Sequence, residues 1–236
     1  MSIESAREGR VLHLALNRPA KRNALNRETC EALVAAIDEG NEDERVACVV
    51  LSGNGPAFCA GMDLSETGDN ADLHERLFTT INRVDKPIVA AVHGAALAGG
   101  TGLVANAHIA IAAPDARFGL TEIRIGLWPV LVFRALTLAI GERRATELSI
   151  TGRIFGADEA RGYSLVSEIA DDPLKRAMEL AATIASYSAP AMRAGLRYVR
   201  EIRDMDWAEA GQLGRTVRTA MMDHADFKAA TARWVK

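Results

Sequence analysis

The feature that most constrains this chain is a run of 28 residues, from 87 to 114, that contains no Asp, Glu, Lys or Arg. A run of that length must lie in a protein interior or in a membrane. Four glycines, one asparagine and two histidines interrupt it, which favours the interior. We predict two buried strands, 88–92 and 109–113, joined by a glycine-rich turn and a short helix over 100–107. A membrane is therefore not an expected partner.

Other segments extend this pattern to an α/β fold. Apolar strands are predicted at 11–16 and 47–51, with a short late strand at 165–170. Helical periodicity at 28–39 and 73–84 separates them. Continuous apolar strands are buried on both faces, as in a parallel sheet covered by helices. Alternation of strand and helix indicates the α/β class with parallel pairing.

The last third of the sequence is different, because only helices are predicted after residue 173. They cover about 174–187, 190–203 and 206–222, with a short one from 226. Residues 174–236 carry 11 basic and 7 acidic side chains, whereas residues 1–173 carry 17 and 24. A mildly basic helical tail after an α/β body suggests a lid or an oligomerisation arm, and a tail packed on its own core is an equal alternative.

Composition excludes several classes of protein. A net charge of -3 and aromatic residues at 5% argue against a nucleic-acid partner. Three cysteines without C-x-x-C spacing form neither a disulfide framework nor a metal site, so no metal is expected. The first residues have no apolar signal core, and a cytoplasmic location is the expectation.

Two small-residue turns, 55–64 and 93–102, follow two of the buried strands. Ligands in open α/β sheets bind beyond the carboxyl ends of the strands. One backbone N–H from each turn could hold a developing oxyanion. The alternative is that small residues here only permit tight packing of strand against helix.

Single residues near these turns leave further alternatives open. Glu122 lies among apolar residues, where desolvation would raise its pKa and suit acid–base chemistry, but it could equally pair with Arg124 or Arg117 on the surface. His74 is expected at a solvated helix position, and Cys59 as a small buried filler.

A dinucleotide pattern is also present. Gly100, Gly102 and Ala105 satisfy G-x-G-x-x-A, although seven residues separate Val92 from Gly100 and the pattern should follow its strand directly.

Several motifs together resemble the enoyl-CoA hydratase/isomerase family of the crotonase superfamily. They are LNRP at 16–19 with NAL at 23–25, FCAGMDL at 58–64, KPIVAAVHG at 86–94 and FGLTEI at 118–123. The resemblance implies a crotonase (ClpP-like) spiral of ββα units over residues 1–185. It also implies a C-terminal helical oligomerisation region over 186–236, and a homotrimer or a dimer of trimers.

The same resemblance implies a CoA thioester as the substrate, with no cofactor other than the coenzyme A that the substrate carries. The catalytic positions that it implies are Glu122 as acid/base and the N–H groups of Ala60 and Gly99 as holders of the thioester oxygen. The substrate-binding positions that it implies are Arg22, Ala24, Ala60, Gly61, Met62, Asp63, Leu64 and Gly99.

One departure from the family pattern bears on the reaction. Hydratases usually carry another glutamate three residues after the oxyanion glycine, and this chain has Gly102 there. With Glu122 as the single acid/base, double-bond isomerisation of an enoyl-CoA is favoured over addition of water. A 2-enoyl-CoA hydratase of the fatty-acid β-oxidation type stays open, as do a non-catalytic acyl-CoA binder and a dinucleotide-dependent oxidoreductase.

Overall fold

Strands and helices alternate along the first 170 residues of the computed structural model, which describes residues 1–66, 70–232 and 234. The strands are β1 (Ile3–Glu8), β2 (Val11–Leu16), β3 (Cys48–Gly53), β4 (Ile88–Val92), β5 (Ala95–Leu97), β6 (Ile109–Ala112), β7 (Arg117–Gly119), β8 (Ile154–Gly156) and β9 (Glu168–Ile169). The α-helices are α1 (Arg27–Glu42), α2 (Ala71–Arg83), α3 (Gly99–Asn106), α4 (Val130–Ile140), α5 (Glu142–Thr151), α6 (Ala157–Gly162), α7 (Pro173–Ala185), α8 (Ala189–Glu201), α9 (Trp207–Asp223) and α10 (Ala225–Thr231).

The strands form two sheets. The larger has the order β1-β2-β3-β4-β6-β9, in which β1 is antiparallel to β2 and the other neighbours are parallel. The smaller has the order β5-β7-β8, with β5 parallel to β7 and β8 antiparallel to it. Because β5 and β7 belong to the turns that follow β4 and β6, the small sheet lies beyond the carboxyl ends of the large one.

The large sheet is covered on both faces, as its apolar strands predict. Along β4, Ile88, Ala90 and Val92 enter the main core cluster, while Val89 and Ala91 enter the second one. The second cluster is closed by α7, whose Ala177, Ala181 and Ala185 recur every four residues and are buried. An alanine stripe allows a helix backbone to lie close to a sheet, so packing is achieved here with small side chains.

Lys86 fixes the end of α1 against the start of β4. Its side chain is buried, and its Nζ donates to the carbonyl oxygens of Gly40 at 2.8 Å and Asp43 at 2.5 Å. The terminal carbonyls of a helix lack intrahelical donors and attract a cation. Burial lowers the pKa of Lys86. The two hydrogen bonds compensate for the cost of burying its charge.

The α/β class, the parallel strands and the helical C-terminal part are confirmed. The pattern at 165–170 forms only the two-residue β9, and β1, β5, β7 and β8 were not predicted. β1 was missed because five of its six residues are exposed and polar or small, and the others because three-residue strands carry no periodicity. In the predicted region 186–236, residues 233, 235 and 236 lie outside the described residues.

Among the described helices, none combines the length and the apolar character that crossing a bilayer requires.

Candidate active site

The floor of the site is made where the two small-residue turns touch. Leu97 N–H donates to the Cys59 carbonyl at 2.9 Å, and Cys59 N–H donates to the Ala95 carbonyl at 3.0 Å. A Cβ on Gly61, which has φ +92°, would lie 2.8 Å from the Ala98 Cβ and 3.3 Å from the Gly99 backbone nitrogen. A side chain at residue 61 would therefore strain the backbone and separate the turns.

The backbone donors of the first turn alternate in direction. Leu25 N–H donates to the Gly61 carbonyl at 2.7 Å, and Asp63 N–H donates to the Leu25 carbonyl at 3.0 Å. The N–H of the intervening Met62 has no acceptor in the described part of the chain. Ala60 N–H donates to the Arg22 carbonyl at 2.9 Å. The Ala60 N–H is thus used inside the loop, and its assignment as an oxyanion donor is wrong.

Gly99 supplies the donor of the second turn. It is the first residue of α3, and its N–H has no acceptor among residues 1–66, 70–232 and 234. The preceding Ala98 has φ +51°, a conformation that costs energy for a non-glycine residue and is typical of functional sites. Because the backbones of Gly61 and Gly99 lie close together, the free N–H groups of Met62 and Gly99 belong to adjacent backbone segments.

A cavity of about 460 Å³ lies above this floor. Ala60, Met62, Leu64, Gly99 and Glu122 of the predicted set line it. The remaining walls are mostly apolar and are contributed by Leu25, Phe78, Ile125, Leu127, Trp128, Pro129, Val130, Leu131 and Val132. An apolar cleft with a few polar groups is the usual form of a small-molecule site.

Glu122 is the carboxylate of this cavity. It lies on the short 3-10 helix Thr121–Ile125. Its Oε2 is buried without a hydrogen-bond partner, and burial raises the pKa of Glu122. Within the described residues Glu122 forms no ion pair, so neither Arg117 nor Arg124 neutralises it. The expected desolvation of Glu122 is confirmed.

The position of the absent glutamate, Gly102, faces a filled space. A Cβ there would lie 2.2 Å from Val132 Cγ1, 2.7 Å from Val132 Cβ and 3.3 Å from Phe78 Cε1. An acidic side chain therefore cannot enter from residue 102 unless α4 changes.

The loop before α1 supports the floor. Asp63 is buried, pairs with Arg18 at 2.8 Å and accepts a hydrogen bond from the Ser65 hydroxyl at 2.6 Å. The hydrogen bonds from Ser65 and Arg18 lower the pKa of Asp63 to about 2. Arg18 also donates to the Ala24 carbonyl at 2.7 Å. Arg22, Ala24, Gly61 and Asp63 are not among the side chains that line the cavity, and Arg22 is exposed.

His74 was missed by the sequence analysis, and its expected solvation is wrong. It lies on α2, is 7% exposed and lines the cavity. Its neighbours Leu73, Leu77, Phe78 and Ile81 form the apolar stripe of α2, and His74 falls at helical spacing within that stripe. That spacing is the feature of the sequence from which the burial of His74 could have been predicted.

Cys59 and the dinucleotide pattern both have packing roles. Burial raises the pKa of the Cys59 thiol to about 12, so the thiol is neutral and lies in the core as expected. Gly100 lies inside α3, and a Cβ on it would be 2.2 Å from the Cys59 carbonyl oxygen. With Val132 and Phe78 against Gly102, these glycines permit close packing of protein rather than approach of a dinucleotide.

Comparison with known proteins identifies the family. Residues 6–236 match the family described as enoyl-CoA hydratase/isomerase. The chain belongs to the enoyl-CoA hydratase/isomerase family. The fold is the crotonase fold: a crystal structure of enoyl-CoA hydratase from Mycobacterium smegmatis matches with a TM-score of 0.91 at 30% identity, over 98% of this chain and 95% of that chain.

Relatives in this family have names from both reaction types. Enoyl-CoA hydratase EchA19 of Mycobacterium tuberculosis is 34% identical over 86% of this chain and 82% of its own length. The 2,3-dehydroadipyl-CoA hydratase of Escherichia coli is 32% identical over 85% and 82%. The human mitochondrial Delta(3,5)-Delta(2,4)-dienoyl-CoA isomerase is 35% identical over 85% of this chain and 68% of its own. This chain is accordingly an enzyme of the hydratase/isomerase type.

Proposed function

We propose that the protein moves a double bond in an enoyl-CoA thioester, with Glu122 as the only carboxylate that transfers protons. The observation that carries the proposal is the contrast between Glu122, whose Oε2 is buried without a hydrogen-bond partner, and Gly102, whose side-chain space is filled by Val132. Addition of water needs one group to activate water and another to protonate carbon. Isomerisation needs only a proton moved between two carbons.

The steps follow from the geometry of the floor. Glu122 carboxylate takes a proton from C2 of a 3-enoyl thioester, and the electron pair passes to the thioester oxygen to form a dienolate. The N–H groups of Met62 and Gly99 hold that oxygen, which replaces the predicted pair of Ala60 and Gly99. Return of the electron pair with protonation at C4 gives the 2-enoyl thioester. Two free backbone donors aimed at a developing oxyanion supply a large share of such a rate enhancement.

The raised pKa of Glu122 suits this task. A base abstracts a proton from carbon best when its pKa lies nearer to the operating pH than that of an ordinary carboxyl. Burial without a cationic partner moves Glu122 in that direction.

Substrate recognition divides between cavity and loop. The apolar wall from Ile125 to Val132 suits an acyl chain, and Leu64 at 65% exposure stands at the rim. Arg22 is exposed beside the first turn and suits the phosphates of coenzyme A, whereas Ala24, Gly61 and Asp63 support the floor. The named relatives act on CoA thioesters, which supports this class of substrate.

A second copy of the chain is the proposed partner of the C-terminal helices. Large apolar side chains are exposed there, including Val199 at 53% and Trp207 at 96%. A trimer, or a dimer of trimers, would cover them. Cys30, Cys48 and Cys59 are free and buried, which is compatible with the reducing cytoplasm as the proposed location.

Hydration of a 2-enoyl-CoA is the second candidate, because the Mycobacterium and Escherichia coli relatives are named hydratases. It would need a group other than residue 102 to activate water.

Proton NMR in D₂O with short 2-enoyl and 3-enoyl CoA thioesters tests the proposal. We expect deuterium at carbon positions that the enolate activates, together with conversion of the 3-enoyl to the 2-enoyl form. CoA thioesters should also raise the melting temperature, and NAD(H) should not. Stabilisation by NAD(H) alone, or thioester binding without exchange or conversion, would contradict the proposal.

A further inference from the structure

One face of α2 lies over the position where the second carboxylate is absent. Phe78, on that face, comes within 3.5 Å of a Cβ built at Gly99 and 3.3 Å of one built at Gly102. His74 is one helical turn earlier on the same face, and side chains four residues apart on a helix have Cβ atoms about 5–6 Å apart. His74 therefore lines the cavity one helical turn from Phe78, the residue that packs against Gly102.

The His74 ring has no partner of its own. It is buried, and it makes no side-chain hydrogen bond or ion pair with residues 1–66, 70–232 or 234. Glu122, which lines the same cavity, also has a buried oxygen without a partner. Burying a polar atom without a partner is costly, so Glu122 Oε2 in an apolar cavity indicates that a ligand completes it, and the His74 ring borders the same cavity.

We propose that His74 is the second proton-transferring residue of this cavity, and that it delivers the proton to C4 of the dienolate that Glu122 forms. The proposal rests on the proposed isomerase function and adds a residue to the same site. His74 acts here as an imidazolium acid, which cannot activate water, so the preference for isomerisation over hydration is kept.

The proton balance is simple. Glu122 carboxylate accepts the C2 proton and becomes neutral, and the His74 imidazolium donates a proton to C4 and becomes a neutral imidazole. The C2–H bond breaks, the C4–H bond forms, and the double bond moves from C3–C4 to C2–C3. Glu122 then releases its proton to solvent and His74 takes one from solvent, so no proton is gained or lost overall.

Few titratable groups face His74 from the elements packed against α2. Helix α3 has none, and α4 contributes Arg134, which is exposed. On the buried face of α1 the titratable group is Cys30, whose pKa is raised to about 12 by burial, so that it is neutral. Around that end of α1 lie the charged Arg27, Glu31 and Glu66.

On α2 itself Asp72, Glu75 and Arg76 are exposed. Glu122 lines the same cavity. Among the described groups, Glu122 is the one that shares the substrate space with His74.

The test compares His74→Asn and His74→Ala with the native full-length protein in isomerisation of a 3-enoyl-CoA thioester. We expect kcat to fall by about 10²-fold or more in both variants, the range for loss of a general acid. The shape of the native pH–rate profile should change in His74→Asn. Imidazole added to His74→Ala should restore part of the rate, because the shortened side chain leaves room for it.

A substrate deuterated at C2 adds an independent readout. In the native protein the hydrogen that arrives at C4 comes from solvent by way of His74. In His74→Asn only Glu122 remains, and we expect more of the C2 deuterium to reappear at C4. His224→Asn is the matched control, since His224 caps α10 on the surface and Asn is an equally good cap. It should behave as the native protein does.

The outcomes separate the two proposals. A native protein without isomerase activity overturns the proposed function and this inference together. Native isomerase activity with an unchanged pH profile and label distribution in His74→Asn, and no rescue of His74→Ala by imidazole, overturns the role of His74 alone. A lower rate accompanied by lost thioester affinity, with the profile unchanged, likewise overturns it and assigns His74 to packing.

Discussion

Two walls of one cavity differ in what they offer a substrate. The wall at Glu122 presents a carboxylate among apolar side chains, with a buried oxygen that has no hydrogen-bond partner among the described residues. The wall at Gly102 presents Val132 and Phe78 in close contact with the helix backbone. A carboxylate needs both a residue that carries it and a volume that accepts it. The first wall has both, and the second wall lacks the residue and has filled the volume.

Removing the charge from the first wall should have the largest effect. Glu122→Gln keeps the shape of the side chain but cannot accept a proton. We expect kcat for isomerisation to fall by about 10²–10⁴-fold, with little change in the affinity for a CoA thioester. NMR turnover and titration calorimetry measure the two quantities. Near-native turnover would show that another group acts as the base.

A substitution in the floor of the site should lower the rates of isomerisation and of hydration together, because the two walls share that floor. Gly99→Pro removes one of the two free N–H groups, and we expect a loss of about 10²–10³-fold in isomerisation and in any hydration. Proline is tolerated at the first position of a helix, and Gly99→Ala is the control that keeps the N–H. A Cβ at Gly99 has its nearest neighbour at an ordinary 3.4 Å.

Circular dichroism and oligomer size should be the same for both Gly99 variants. If Gly99→Ala and Gly99→Pro lose activity equally, the loss comes from the side chain added at residue 99 and not from the missing N–H.

Adding a carboxylate to the second wall should succeed only after space is made. Gly102→Glu alone places Cβ 2.2 Å from Val132 Cγ1, and we expect about 1–3 kcal/mol of destabilisation from overpacking. Combining it with Val132→Gly removes both clashing atoms at a helix cost of about 1 kcal/mol. The double variant should hydrate a 2-enoyl-CoA about 10-fold faster than Val132→Gly alone. Equal hydration by the two would show that the position of residue 102 does not limit hydration.

The smallest expected effect concerns stability. Because burial raises the folded-state pKa of Glu122, the stability associated with this group is present at acid pH and is lost as the pH rises through the folded pKa. Glu122→Gln lacks this loss. Its melting temperature should exceed the native value at pH 7 and approach it toward pH 4, about the unfolded pKa of Glu. A constant difference across that range would contradict the pH linkage.

Much of the fold could be predicted because it depends on burial. The residues of β4 and the alanines of α7 are apolar in the period that their element requires, and helix and strand patterns are visible without a structure. Glu122 could be predicted because most of the residues near it in the sequence, Phe118, Leu120, Ile123 and Ile125, are apolar.

Backbone direction could not be predicted in this way. Ala60 and Met62 are two residues apart in one loop, and only the hydrogen bonds to Arg22 and Leu25 show which N–H is free. The filling of the Gly102 space depends on α4, whose Val132 is 30 residues later in the chain. Predicting the burial of His74 required knowing which face of α2 points into the core. The polar residues of α2 obscured that face in the sequence.

The ratio of isomerisation to hydration in the native protein tests the central claim most directly. A 3-enoyl and a 2-enoyl CoA thioester of equal chain length should be supplied separately, and kcat/KM for double-bond migration and for water addition should be measured by NMR on the same preparation. A cavity with one carboxylate predicts that migration is clearly faster than addition of water. Efficient hydration of the 2-enoyl thioester without migration of the 3-enoyl double bond would contradict the account.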